Sequence, residues 1–211
     1  MMNLVYAAAI VFGLGYGVFL EREQGLVRAV AKTIPLVLLA IAAWLGDAPL
    51  LLVAGFALSA LGDWCLAFKG EKYFLAGLVS FLLAHLAYAR MFFLGQNAQW
   101  ASGPLFLAGA VIVFAISIGV FRRLRDRLGP MKWPVAVYTG VIAAMVVAAL
   151  ARGPDPVLLA GVALFMASDI VLAHQTFPAA NATQEPRWRS WFIWYAYFIG
   201  QALIGAAYLF A

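Results

Sequence analysis

Apolar runs of helix-spanning length follow one another along almost the whole chain, separated by short polar connections. A run of about 17–25 apolar residues crosses a bilayer as a helix, because only a helix satisfies its own backbone in lipid. The pattern predicts eight such helices, over roughly 3–20, 29–45, 49–68, 73–95, 102–121, 133–151, 156–174 and 190–211. The connections leave no room for a soluble domain. The longest, 175–189, holds Gln184-Glu185-Pro186-Arg187 and reads as a surface loop. The expected fold class is therefore all-α, a polytopic membrane bundle of eight transmembrane helices forming one domain over 1–211.

Composition agrees. The chain is 66% hydrophobic and 11% charged, against about 25% charged in soluble proteins. The net charge of +5 invites a nucleic-acid reading, but its distribution argues otherwise. Twelve of the fourteen Lys and Arg residues fall after helices one, three, five and seven or at the adjoining helix starts: Arg22, Arg28, Lys32, Lys69, Lys72, Arg122, Arg123, Arg125, Arg127, Lys132, Arg187 and Arg189. Positive residues mark the cytoplasmic face, so both termini are expected on the non-cytoplasmic side, with membrane lipids rather than nucleic acid as partners. The expected location is an integral, multi-pass one, in the inner (cell) membrane if the source is bacterial. The first span has no charged flank or cleavage pattern and is expected to stay. Asn181-Ala182-Thr183 fits a glycosylation pattern but falls on the cytoplasmic side of this topology. Cys65 is the single cysteine, so no intrachain disulfide forms. His85 and His174 are the two histidines, which rules out a His₃ zinc site and leaves a mixed His/Asp site open.

Against this apolar background a few polar residues stand out. Asp63 and Asp169 lie inside spans, where a carboxylate costs about 2.5–3.5 kcal/mol at the bilayer centre and usually marks function. Their surroundings are alike: Ala57-Leu58-Ser59-Ala60-Leu61-Gly62-Asp63 against Ala163-Leu164-Phe165-Met166-Ala167-Ser168-Asp169. Lys32-Thr33-Ile34-Pro35 lines up with Lys132-Trp133-Pro134, and His85 with Gln201. Two parallel four-helix repeats, 1–100 and 101–211, are expected from this likeness, in a manner known from transporters. At 1.5 Å of rise per residue, Asp63 lies about 7–8 Å inside the cytoplasmic boundary, with Asp169 at similar depth. Lys32 and Tyr138 open outward-running helices, and His85 and Gln201 lie about 17 Å deep. These six residues all fall in the inner half of the membrane. Each has a bland alternative. The acids pair with Lys32 or cap a helix; Tyr88, Tyr138 and Tyr197 pack; Gln201 joins helices. His174 reads as structural, Trp133, Trp188, Trp191 and Trp194 as an interfacial belt, Pro35 and Pro134 as cheap prolines near helix starts, and Arg90 as a snorkelling side chain.

Several of these stretches, in order, carry a family resemblance: Gly62-Asp63; Phe74 to Tyr88, with Ala84-His85; Pro134-Val135-Ala136-Val137-Tyr138; Ala163 to Asp169; and Gln201-Ala202-Leu203-Ile204. Together they resemble the YhhN-type lysoplasmalogenase family of integral membrane hydrolases. One departure is Lys32-Thr33-Ile34-Pro35, where the family often has Lys-Pro directly.

The resemblance implies hydrolysis of the vinyl ether bond of a lysophospholipid substrate, a lysoplasmalogen, to a fatty aldehyde and glycerophosphoethanolamine or glycerophosphocholine. That reaction protonates the β-carbon of the vinyl ether, and water then traps the oxocarbenium ion. It needs a proton donor, a negative group beside the cation and a positioned water, as in glycosidases. Asp63 and Asp169 are the expected carboxyl pair, with acid and stabiliser unassigned. His85 is expected to orient water or exchange protons. Lys32, Tyr88, Tyr138, Ser168 and Gln201 are expected to bind substrate or water, with Lys32 and nearby Arg residues holding the lipid phosphate at the cytoplasmic interface and aromatic faces holding choline by cation–π contact. Neither a metal nor a cofactor is implied. Three rivals remain on the residues alone: a small-molecule or proton-coupled transporter, a membrane sensor or scaffold, and a metal-dependent lipid amidase built on Asp63, Asp169 and His85.

Overall fold

The computed structural model describes residues 1–178 and 186–210. Gln184-Glu185 and the Asn181-Ala182-Thr183 pattern lie outside the described residues. Every described element is helical: α1 Met2–Gly15, α2 Leu26–Leu45, α3 Leu50–Leu66, α4 Glu71–Leu94, α5 Ala98–Ala101, α6 Pro104–Leu124, α7 Lys132–Leu150, α8 Pro156–Thr176 and α9 Arg187–Leu209. Seven segments are long and apolar enough to cross a membrane, α1 among them with the 3₁₀ turn Tyr16–Phe19 that follows it. The remaining expected span, α3, has 17 residues, about 25 Å of helix. Leu105, Leu107, Val111, Ile112, Phe114 and Ile118 of α6 are all exposed. So continuous an apolar face suits lipid, not water.

The chain divides into two compact units, Met1–Met91 with the C-terminal end from Ile204, and Phe92–Leu203. In the first, α1 packs on α2 and α2 on α3. The buried residues of α2 include Ala29, Leu36, Leu39 and Ala43, a single stripe at three- and four-residue spacing. Next, α3 meets α4 through Gly62, where an added Cβ would lie 2.6 Å from the Phe81 ring. Ser80 Oγ donates to the Leu58 carbonyl across the same contact, at 2.7 Å. The C-terminal end joins this unit through Phe210, edge-on to Tyr6 with centroids 5.1 Å apart.

In the second unit α6 packs on α7 and α7 on α8. Asp155 caps α8, accepting from the Val157 and Leu158 amides at 3.0 Å, and Pro156 occupies the first turn, where its missing N–H is harmless. Trp100 Nε1 donates to the Leu150 carbonyl at 2.7 Å, fastening α5 to the end of α7. Helices α8 and α9 meet backbone to backbone: a Cβ on Gly200 would lie 2.7 Å from the Gly161 carbonyl oxygen.

Two expectations need correction. Helix α2 starts at Leu26, one turn before the expected 29, so Pro35 is inside it and not near its start. Its missing N–H and its ring remove the helical bond to the Ala31 carbonyl, one residue from Lys32. Trp194 does not belong to the interfacial belt. It is 2% exposed and stacks on Phe198 with centroids 5.8 Å apart. One turn beyond Trp191, it has rotated onto the buried side of α9. Trp133, Trp188 and Trp191 are exposed, as a belt requires.

Candidate functional site

In the first unit the polar residues occupy the buried stripes themselves. Lys32 stands between Ala29 and Leu36, three and four residues away, and so faces inward with them. Asp63 ends the buried series Leu52, Phe56, Ser59 of α3. The two are brought together: Lys32 Nζ is 2.9 Å from Asp63 Oδ1, with the lysine side chain 19% exposed and the carboxylate 1%. At that distance the two form a salt bridge, and either charge alone in an apolar span carries a desolvation cost of several kcal/mol.

His85 is fully buried on α4. Its Nδ1 is 2.7 Å from the Phe81 carbonyl. A carbonyl only accepts, so Nδ1 donates, and in the neutral ring Nε2 carries the lone pair and serves as an acceptor or base. Phe81 is also the residue whose ring meets Gly62. The α3–α4 contact therefore lies one residue from Asp63 and one turn from His85. Tyr88 is buried too, its ring edge-on to Phe56 with centroids 6.1 Å apart. That is a packing position within the first unit.

In the second unit Tyr138 OH donates to Asp169 Oδ2 at 3.4 Å, longer than the usual hydroxyl–carboxylate bond. Asp169 ends the buried series Leu158, Val162, Phe165 of α8. Ser168 Oγ donates to the Phe165 carbonyl at 2.7 Å, a bond within its own helix. Gln201 is fully buried on α9, and one turn earlier Tyr197 packs edge-on to Phe165, centroids 5.4 Å apart. His174 is half-buried and, like His85, donates Nδ1 to the carbonyl four residues back, at 2.8 Å. Among the described residues no three His, Cys, Asp or Glu side chains gather as ligands around a metal.

Sequence reasoning counted Arg28 as a topology marker and, without singling it out, among the Arg residues near Lys32 expected to hold a lipid phosphate. Its Nε donates to Tyr16 OH at 3.2 Å and its Nη1 to the Arg22 carbonyl at 3.0 Å. The signal was present in the spacing, since Arg28 and Lys32 are four apart and share a helix face.

What the first unit offers chemically is a carboxylate salt-bridged to a lysine and a buried imidazole whose Nδ1 is a donor; the second unit offers a carboxyl beside a phenol. Relatives match along most of the chain. Curated proteins from Mycobacterium bovis and Mycobacterium tuberculosis, both named lysoplasmalogenase, are 32% identical to this chain over 219 residues, covering 94% of it and 81% of their own length. No solved structure matches it. Residues 27–208, which take in each of the polar positions above except Tyr16 and Arg22, match the YhhN family, and the chain belongs to that family.

Proposed function

We propose that this protein is a lysoplasmalogenase that hydrolyses the vinyl ether bond of a lysophospholipid within the membrane. The observation that carries the reading is the Lys32–Asp63 ion pair, with its carboxylate buried, found in a YhhN-family chain whose relatives bear that name. An ion pair in an apolar span is seldom retained for stability alone.

The chemistry follows from the contacts. Asp63, salt-bridged to Lys32, is assigned the negative charge beside the oxocarbenium ion. Asp169, hydrogen-bonded by the Tyr138 phenol, is assigned the proton delivered to the β-carbon of the vinyl ether. Water adds to the cation and passes a proton to His85 Nε2. The hemiacetal then breaks its bond to the glycerol oxygen, which takes the proton held on His85 as it leaves; the hemiacetal hydroxyl proton returns Asp169 to its acid form. The sum is one water consumed, with a fatty aldehyde and a glycerophospho-alcohol formed. Ser168, Gln201 and Tyr88 are assigned to binding substrate or water.

The same reading counts α3 as the eighth span and places both termini on the non-cytoplasmic side, supported by the twelve Lys and Arg residues gathered on alternate connections. It also takes the chain as a duplication, supported by the burial patterns compared in the Discussion. The test is aldehyde release from a lysoplasmalogen by purified protein in maltoside detergent, with an acyl-lysophospholipid as control. Aldehyde is expected from the vinyl ether alone, falling about a thousandfold or more in Asp63→Asn and Asp169→Asn if both groups act on the reacting atoms. Absence of aldehyde from the parent protein, or full turnover in both variants, overturns the proposal.

A further inference from the structure

We infer that Arg28 is the residue that recognises the substrate's phosphate, and that it sets how deep the vinyl ether sits. The inference rests on the lysoplasmalogenase reading for the identity of the substrate and on geometry for the site. Arg28 and Lys32 share a face of α2 one turn apart, about 6 Å along the axis. In the substrate, five covalent bonds of about 1.5 Å separate the phosphorus from the ether oxygen, about 6 Å when extended. A phosphate on Arg28 therefore brings the ether oxygen level with the Lys32–Asp63 pair.

The guanidinium is built for this. Tyr16, 1% exposed, fixes Nε, and the Arg22 carbonyl fixes Nη1. Among the described residues the remaining three N–H donors, two on Nη2 and one on Nη1, have no partner, and the residue is half-buried. A held planar fork with free donors suits a phosphate, which it can grip with two bonds. Lys32 cannot take that part as well, because its charge is committed to Asp63. The connection beside Arg28 carries Glu21 and Glu23, both exposed. A zwitterionic head group, phosphate inward and amine outward, matches that order of charge better than a bare anion. In the second unit Pro134 stands four residues before Tyr138, as Arg28 stands before Lys32. Only the first unit has a cation at that position.

The experiment compares two uncleavable ligands in maltoside detergent, 1-O-alkyl-lysophosphoethanolamine and the phosphate-free 1-O-alkylglycerol, by titration of the purified full chain. The parent protein is expected to prefer the phosphorylated ligand by about ten- to a hundredfold, the range for hydrogen bonds to a charged group. Arg28→Gln is expected to abolish the preference while binding alkylglycerol as before. Arg28→Lys keeps the charge without the fork and retains part of it; Tyr16→Phe, which frees the guanidinium, lowers it about three- to tenfold. A parent protein with no preference, an Arg28→Gln variant that keeps it, or equal loss of both ligands in that variant overturns the inference. Aldehyde release by the parent is scored separately, so a failed lysoplasmalogenase reading and a failed phosphate site give different results.

Discussion

Helices α3 and α8 bury the same positions. Those of α3 are Leu52, Gly55, Phe56, Ser59, Ala60, Gly62 and Asp63; those of α8 are Leu158, Gly161, Val162, Phe165, Met166, Ser168 and Asp169. A spacing of 106 residues carries one set onto the other without exception. The same spacing carries Lys32 onto Tyr138, and these are the residues that reach Asp63 and Asp169. It also carries Ala29, Leu36, Leu39 and Ala43 of α2 onto Val135, Ile142, Met145 and Ala149 of α7, all buried. The burial pattern is shared while the groups set against the two carboxyls differ. One carboxyl faces an ammonium, the other a phenol. A protein that needs one ionised carboxylate and one proton donor gains from that difference, because two identical environments would give two identical carboxyl groups.

The largest effect should come from breaking the charged half of the comparison. Lys32→Met or Asp63→Leu alone leaves one charge buried without its partner, which costs about 3–5 kcal/mol. The 19% exposure of Lys32 puts its own removal toward the lower end. For a chain of this size that is about 10 °C of melting temperature in detergent, read by thermal unfolding. The double variant Lys32→Met with Asp63→Leu should recover most of the loss, since an apolar pair replaces an ion pair at little net cost. Aldehyde release should stay abolished. Single variants that melt like the parent would mean the pair is solvated and contributes no more than a surface salt bridge.

That pair shows how far the sequence could be read. The apolar runs placed the long described helices to within a few residues, seven of them with the length and apolarity a bilayer demands. Lys32 was named as a partner for the acids from its depth alone. The duplication hint set Lys132 opposite Lys32 by likeness of motif, but the contacts put Tyr138 there. A lysine and a tyrosine share no motif, and only the burial stripe equates them. The start of α2 was missed because Arg28 reads as an end to an apolar run. It is helical because its guanidinium bonds back to Tyr16 and Arg22, a contact that no local pattern announces. Trp194 was missed because composition cannot tell which face of an aromatic-rich helix turns inward.

The next effect separates the two halves by how their helices touch. A Cβ on Gly200 would meet backbone, 2.7 Å from the Gly161 oxygen and 2.9 Å from the Phe165 nitrogen. One on Gly62 would meet the ring of Phe81, a side chain that can turn. Gly200→Ala should therefore destabilise by about 2–3 kcal/mol, the upper part of the range for overpacking, and Gly62→Ala by about 1 kcal/mol. Their ranking should reverse in turnover, because a shifted Phe81 moves the carbonyl that holds His85 and crowds the turn that carries Asp63. Thermal unfolding and aldehyde release on the same preparations give both rankings. Equal loss of stability in the two would mean that the Phe81 ring is as immovable as a backbone.

The smallest effect tests the neutral half. Tyr138→Phe removes a hydroxyl whose bond to Asp169 is 3.4 Å long, so a loss of about 0.5 kcal/mol in stability is expected, the low end for one hydrogen bond. If the phenol only orients the carboxyl, aldehyde release should fall by less than about tenfold, since Asp169 keeps its place on α8. A fall comparable to that of Asp169→Asn would instead make Tyr138 a member of the proton path. The two halves would then differ more deeply than in the charge beside each acid: Lys32 would hold a charge still, while Tyr138, at the equivalent position, would move one.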